Sequence, residues 1–323
     1  MKKTVIMTLL LSVAVWGAGG TDLRWVKGNT HAHTSNSDGN EVPRRVMRWY
    51  QDHGYHFLVI TDHDMITETR SLDSDPNDDF ILIPGQEITL RVGDARTHVC
   101  ALNPSRPAMA AVGKTVVETL QNEIDAARTV GALPQINHPN WKWSFGAEEM
   151  TALRDGRLFE LLNVNRDSNN FAAGSRTGTE EIWDRLLSAG KVMYGVASDD
   201  THDYLGDFTS GKAYPGKGWV MVRVARLSAE DVCQALDKGD FYASTGVELD
   251  ELTITEREYA LSIKPYGDTA YTTLFIGRGG QVLKKADGLK ASYAFRGDEA
   301  YVRAKVISSG GELAFCQPFF KKK

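Results

Sequence analysis

Short apolar runs in this chain end, again and again, on histidine and aspartate. "HFLVIT" at 56–61 runs into Asp62 and His63, and "LPQIN" at 133–137 runs into His138. The run at 192–197 leads to Asp199, Asp200 and His202, and the one at 23–29 leads to His31 and His33. Further strand-like runs lie at 80–84, leading to Glu87, at 97–102, holding His98, and at 159–164 and 219–224. Between them stand segments with apolar residues at helical spacing. Val42, Val46, Met47 and Tyr50 mark 41–53, closed by Gly54. Val117, Leu120, Ile124 and Ala127 follow a T-x-x-E capping box from Thr115 to Glu118. Two more helices are expected at 179–189, closed by Gly190, and at 228–238. Such strand–helix alternation predicts a parallel sheet, open or closed into a barrel, with functional groups gathered at the C-terminal strand ends. Six of the eight histidines fall at or just beyond such an end, or in a short strand beside one, which favours a closed or nearly closed barrel.

The pattern changes near Val247. From residue 248 the chain reads as short alternating strands, with Gly279-Gly280 and Gly310-Gly311 as hairpin turns and no histidine. The expected division is therefore a secretory signal at 1–20, a barrel at 21–247 and a small antiparallel, sandwich-like β-domain at 248–323. The signal rests on Lys2 and Lys3, an apolar run at 5–16 and the small residues at 17–20. That run is shorter than the ~20 residues of a spanning helix, so a periplasmic or secreted protein without stable membrane insertion is expected. A net charge of -5 argues against nucleic acid as a partner. The three cysteines, Cys100, Cys233 and Cys316, lie far apart with no CxxC spacing, so they read as core residues rather than a zinc site.

Side chains alternate faces along a strand, so His31 and His33 point the same way with Ala32 turned aside. Together, the strand ends offer His31, His33, Asp38, Asp62, His63, Glu87, His98, His138, Asp199, Asp200 and His202. Imidazole and carboxylate are the ligand set of Zn, Mn or Fe, and this many candidates exceeds what one ion needs. Asp200-x-His202 repeats the logic of His31-x-His33. Asp62 and Asp64 read equally as support for His63 or as turn residues. His53 and His56 read as structural.

The order of "THAHTSNSDG", "ITDHD", "PGQEIT" with "THV", "INHPN" and "ASDDTHD" resembles the PHP (polymerase and histidinol phosphatase) superfamily of metal-dependent phosphoesterases. "DHGYHFLVITDHD", "INHPNW", "LLSAGKVMYGVASDDTH" and "FYASTGVEL" are similar to its CehA/McbA-type metallohydrolases. The resemblance covers roughly residues 25–250. It implies a distorted (β/α)7 barrel holding three divalent transition metals (Zn, Mn or Fe). Carried over by position, the first metal would take His31, His33, Glu87 and Asp200. Glu87 would bridge to a second, completed by His98 and His138, and Asp38, His63 and His202 would hold a third. Asp200 is preferred to Asp199 for its D-x-H register, and Glu87, Asp200 and His202 are the ligands given a catalytic role.

The chemistry expected is hydrolysis of a small-molecule ester. Metals lower the pKa of a bound water to about 7, so a hydroxide bridging the first two would be the nucleophile. The superfamily implies a phosphodiester or phosphomonoester; the closer resemblance leaves a carbamate or carboxylic ester as the alternative. Lys142, Arg96 and Arg166 are candidates to meet substrate oxygens, and Trp141, with Trp143, to wall the pocket. The sequence leaves the oligomeric state open.

Overall fold

The computed structural model describes residues 23–72, 79–206 and 212–320. The secretory signal expected at 1–20 lies outside them. β1 (Arg24–Asn29), α1 (Pro43–Asp52), β2 (Phe57–Ile60), β3 (Ile81–Val92) and β4 (Ala95–Leu102) open the chain. α2 (Val116–Thr129), β5 (Leu133–Ile136), α3 (Ala147–Ala152), β6 (Leu158–Asn163), α4 (Thr179–Ser188) and β7 (Tyr194–Ser198) follow. β8 (Trp219–Val224), α5 (Ala229–Lys238) and β9 (Phe241–Ser244) come next. The remainder is β10 (Leu249–Ile254), β11 (Glu258–Ile263), β12 (Tyr271–Ile276), β13 (Val282–Asp287), β14 (Lys290–Ala294), β15 (Val302–Ser308) and β16 (Leu313–Phe319).

α1, α2, α4 and α5 form where the spacing predicts them, for visible reasons, while the spacing does not predict the short α3. Val46, Met47 and Tyr50 are the buried face of α1, and Pro43 sits in its first turn, where its missing N–H costs nothing. Thr115 caps α2 by accepting the amide of Glu118, and Ser228 caps α5 by accepting that of Asp231. The Glu118 carboxylate reaches back to the Lys114 amide, one residue earlier than a strict capping box.

The sheet departs from the parallel arrangement expected of strand–helix alternation. Thirteen strands join in the order β13-β12-β15-β16-β9-β8-β1-β2-β3-β4-β5-β6-β7. β1–β2, β2–β3, β5–β6 and β6–β7 are parallel pairs. β3, however, runs on past residue 84 as one arm of a hairpin with β4, and β4 pairs antiparallel with β5. β8 also lies antiparallel to β1 and to β9. The reason is local: Gly93 and Asp94 allow an immediate reversal where a parallel crossover would need a dozen or more residues. Glu87, expected just beyond a strand, therefore stands inside one.

The last strand of this order, β7, packs beside β8, β9 and β16. No backbone ladder joins it to them among the described residues. Instead the Gln317 amide exchanges two hydrogen bonds with Gly195, at 3.0 and 2.9 Å. At the opposite end of the strand, a bridge pairs Ala32 with Thr201, and the Asp200 amide donates to the His31 carbonyl. First and last parallel strands thus meet where their side chains carry the site.

All pairs among β10–β16 are antiparallel, and β16 pairs with β9, so hydrogen bonding runs on from the strand–helix region into the C-terminal strands. A buried ion network fastens the two. The Arg303 guanidinium grips the Asp184 carboxylate of α4 at 2.8 and 2.7 Å and reaches Glu180 at 3.0 Å, while Tyr301 donates to Asp184 at 2.8 Å. Arg303 is buried against the Trp183 ring. Removing one partner of a buried pair strands the other charge. Asp184→Ala should therefore lower unfolding stability by about 3 kcal/mol in urea titration, and a loss below about 1 kcal/mol would show that Glu180 compensates.

Candidate metal centre

Each cluster residue is delivered by a strand end or by the β3–β4 hairpin. His31 and His33 follow β1, with their side chains on one side and Ala32 buried between them. The turn behind them is tight. A Cβ on Gly39 would come within 2.8 Å of the His33 backbone, so only glycine lets residues 34–39 fold back. That turn holds Asp38 and is tied down by Asp62, which accepts from the Thr34 amide and hydroxyl at 2.7 Å and from Ser37 at 2.8 Å, and also bonds Thr67. Asp64 accepts from the Thr89 amide. Both aspartates flanking His63 are thus loop anchors. Asp199 is another: fully buried, it accepts the amides of Gly216, Lys217 and Gly218, the Asn29 amide and the Tyr50 hydroxyl. Its neighbour Asp200 turns into the cluster. Asp200 and His138 both hold positive φ, 46° and 21°, which is uncommon outside glycine and is sustained by their amides donating to the His31 carbonyl and the Glu160 carboxylate.

The nine residues expected to bind metal stand in one cluster, in three overlapping groups. In the first, His31 Nε2 and His33 Nε2 face each other at 3.1 Å. Asp200 Oδ1 lies 3.3 and 3.2 Å from them, and the two Glu87 oxygens 3.3 Å from one each. Ligands held at 2.0–2.2 Å around a tetrahedral ion are spaced roughly 3.3–3.5 Å apart, so these donors fit one. In the second group, Glu87 Oε1 lies 3.0 Å from His98 and 3.4 Å from His138. In the third, Asp38 Oδ2 lies 3.3 Å from His202 and 3.6 Å from His63. The first two groups are buried; Asp38 is 52% exposed and His63 and His202 about a quarter, so the third group faces solvent.

Charges inside this cluster are mutually supporting. Burial opposes ionisation of Glu87, but His31, His98 and His138 hold it well below the usual carboxylate range. Asp38 is likewise held down, against its partial burial, by His202 and His63. Burial draws the His202 imidazole down, yet Asp38 and Asp200 outweigh it and push it up to about 9.

Around the cluster stand residues the sequence reading passed over. Glu160 bonds His31 Nδ1 at 2.7 Å. Asn137 donates to Glu87 Oε1 at 2.7 Å and touches Cys100 Sγ. Asn163 donates to Asp200 Oδ2 at 3.0 Å, and Thr89 bonds His63 Nδ1. A signal for Glu160 was present: it is the one charge in the apolar strand "LFELLN". Cys100 is a core residue that borders the site.

Of the five residues expected at the mouth, Trp141 lies against the rings of His98 and His138, at 5.2 and 5.3 Å between centroids, and the Trp143 ring lies under Arg176. Lys142 rests near the Trp141 ring, exposed, while Arg96 begins β4 with its amide on Ser144. Arg166 is exposed in a turn after β6 that Asn140 and Asn169 tie to the Trp141 loop. None of these three cations forms an ion pair with Asp38, Glu87 or Asp200. His53 stacks on Trp49, and His56 Nδ1 accepts the Lys27 amide, so both serve structure.

Glu123 of α2 is buried with one oxygen on the Thr97 hydroxyl and the other without a partner among the described residues. Burial pushes it up to about 9. It is then protonated in the fold but ionised in the unfolded chain above about pH 4.5, so its contribution to stability is full below that and is lost as pH rises toward 9. Glu123→Gln should flatten this loss, by about 1 kcal/mol per pH unit, in denaturation curves taken between pH 5 and 9.

The donor set also predicts metal uptake. Adding Zn2+ to chelator-treated protein should raise the Tm, and elemental analysis should find more than one ion per chain. Occupancy of the outermost group should increase as pH rises toward 9, because His202 must give up its proton to bind. No Tm shift and no bound ion would overturn the metal assignment.

No family model and no curated protein matches this sequence. Among solved structures, a two-domain protein from Bacteroides vulgatus containing a predicted PHP-like metal-dependent phosphoesterase aligns with TM-score 0.51 and 15% identity, over 92% of this chain and 96% of its own. A candidate metal-dependent phosphoesterase from Bifidobacterium adolescentis aligns at 0.38 and 15% identity, over 54% and 87%. An amidohydrolase from Chromobacterium violaceum with bound sulfate aligns at 0.39 and 12%, over 55% and 87%. Of these three, the first shows a shared fold, and it spans nearly the whole of both chains.

Proposed function

We propose that this chain is a PHP-type metal-dependent hydrolase acting on a small phosphodiester or phosphomonoester. The observation that carries the proposal is the convergence of six imidazoles and three carboxylates at the spacing of metal donors. The shared fold with a PHP-like protein supports it. Divalent ions held there would make hydroxide available near neutral pH and offset charge on the departing oxygen.

The chain's own residues do the rest. Glu87 joins the first and second groups, and the Asn137 amide fixes one of its oxygens. Asp38, His63 and His202 lie on the solvent side, so substrate reaches the cluster there. Trp141 offers an apolar wall beside His98 and His138, while Arg96 stands near the start of β4 and Lys142 and Arg166 in the turns after β5 and β6. That none of Arg96, Lys142 and Arg166 pairs with the cluster among the described residues favours a second reading: a carbamate or carboxylic ester, whose neutral carbonyl needs none. We further propose export, on the segment at 1–20; among the described residues no helix is long and apolar enough to cross a membrane.

Hydrolysis of a panel of aryl phosphates, bis-aryl phosphates, aryl carbamates and aryl acetates separates the two readings. Turnover of the phosphoesters is expected, and turnover of carbamates or acetates alone would transfer the proposal to the second. Glu87→Ala should reduce activity at least 1000-fold, since it removes a donor from two groups, while circular dichroism stays native. Wild-type activity in that variant would remove Glu87 from the machinery.

A further inference from the structure

Glu160 lies in the middle of β6, fully buried, and none of the expected ligands is its equivalent. Its carboxylate accepts four hydrogen bonds. Oε1 takes His31 Nδ1 at 2.7 Å and the Ser198 hydroxyl at 2.5 Å; Oε2 takes the His138 amide at 2.7 Å and Asn163 Nδ2 at 2.9 Å. Two of these donors belong to separate groups of the cluster, one through its ring and the other through its backbone. A third, Asn163, continues to Asp200 at 3.0 Å.

We propose that Glu160 is the positioning residue of the centre: it binds His31 through Nδ1 and pins the backbone of His138, so that both rings keep Nε2 turned toward the cluster. The inference rests on the metal reading above. The chemistry is as follows. A carboxylate is acceptor-only, so the nitrogen facing it must carry hydrogen. The other nitrogen, Nε2, is then the one left to coordinate an ion once any proton on it is released, and it is the atom aimed at His33, Glu87 and Asp200. Metal-binding histidines are commonly oriented in this manner, and loss of the orienting partner weakens metal binding about 10–100-fold. The bond to the His138 amide adds a second constraint, because that residue holds a φ of 21° that its own side chain does not favour.

Glu160→Gln tests this with little change of shape. An amide has one acceptor oxygen and a donating NH2. The His138 N–H is main chain and cannot invert, so the glutamine oxygen must face it. The NH2 then meets His31 Nδ1, which becomes an acceptor, and the proton moves to Nε2, the metal-facing atom. Long-range 1H–15N spectra of histidine-labelled, zinc-loaded protein should show His31 bound through Nε2 with its proton on Nδ1 in the wild type, and that pattern lost in Glu160→Gln. Zinc affinity, by chelator competition, should fall at least tenfold.

The wild-type spectrum needs no variant, so the test survives a Glu160→Gln chain that does not fold; a zinc-loaded wild type without that His31 pattern overturns the inference. Wild-type protein that binds zinc, beside a folded Glu160→Gln that binds it equally well, also overturns it and leaves the metal reading standing. Wild-type protein that binds no zinc overturns the metal reading itself.

Discussion

A carboxylate taken out of water must find positive charge or lose its own. Glu87 is 1% exposed, and five imidazole rings stand around it. Hydrogen bonding alone does not explain that crowd, because His31 Nε2 and His33 Nε2 face each other across 3.1 Å with other acceptors on the same side. Cations between them would satisfy all the lone pairs at once. The rest of the architecture reads as the means of holding these rings in place. Every clustered side chain comes from residues 31–202, and each is fixed by main chain at a strand end or in the β3–β4 hairpin.

Three buried acids do that work without joining the cluster. Asp62 gathers the turn that carries Asp38, and Asp199 gathers the loop at 216–218 through three amides. Burial pushes Asp199 up to about 6, and those amides pull it back toward ionisation. Glu160 ties His31 to His138. Each is an acid whose donors are mostly backbone or neutral side chains, so each fixes geometry at small cost in net charge. The C-terminal strands stand outside this arrangement. They extend the sheet through β9 and lock onto α4 by Arg303 and Asp184, away from the cluster.

Much of the site was legible in the chain because its ligands recur at a fixed place, the end of an apolar run. The His-x-His and Asp-x-His pairs betray themselves by period two, and the helices by spacing and caps. The strand hydrogen bonding was less legible. Alternation of strand and helix predicted parallel pairing throughout, but Gly93 and Asp94 turn β3 back on itself, and a two-residue reversal between polar-faced strands resembles any loop. Glu160 escaped because a charge in a short apolar strand has no partner visible in its own segment; its four donors come from residues 31, 138, 163 and 198.

What the sequence determined by itself is the inventory: which imidazoles and carboxylates are available, on which kind of element, and on which face of a strand, because alternation and helical period are properties of a few neighbouring residues. What only the tertiary structure decided is the choice among equals. Asp199 and Asp200 are adjacent and chemically identical, yet one meets backbone amides and the other the cluster. Lys142 and Trp141 are adjacent too, and it is the ring, not the cation, that reaches the histidines. Such choices depend on the path of loops at 34–39, 138–145 and 216–218, which are positioned by contacts across the whole sheet and are therefore invisible to local pattern.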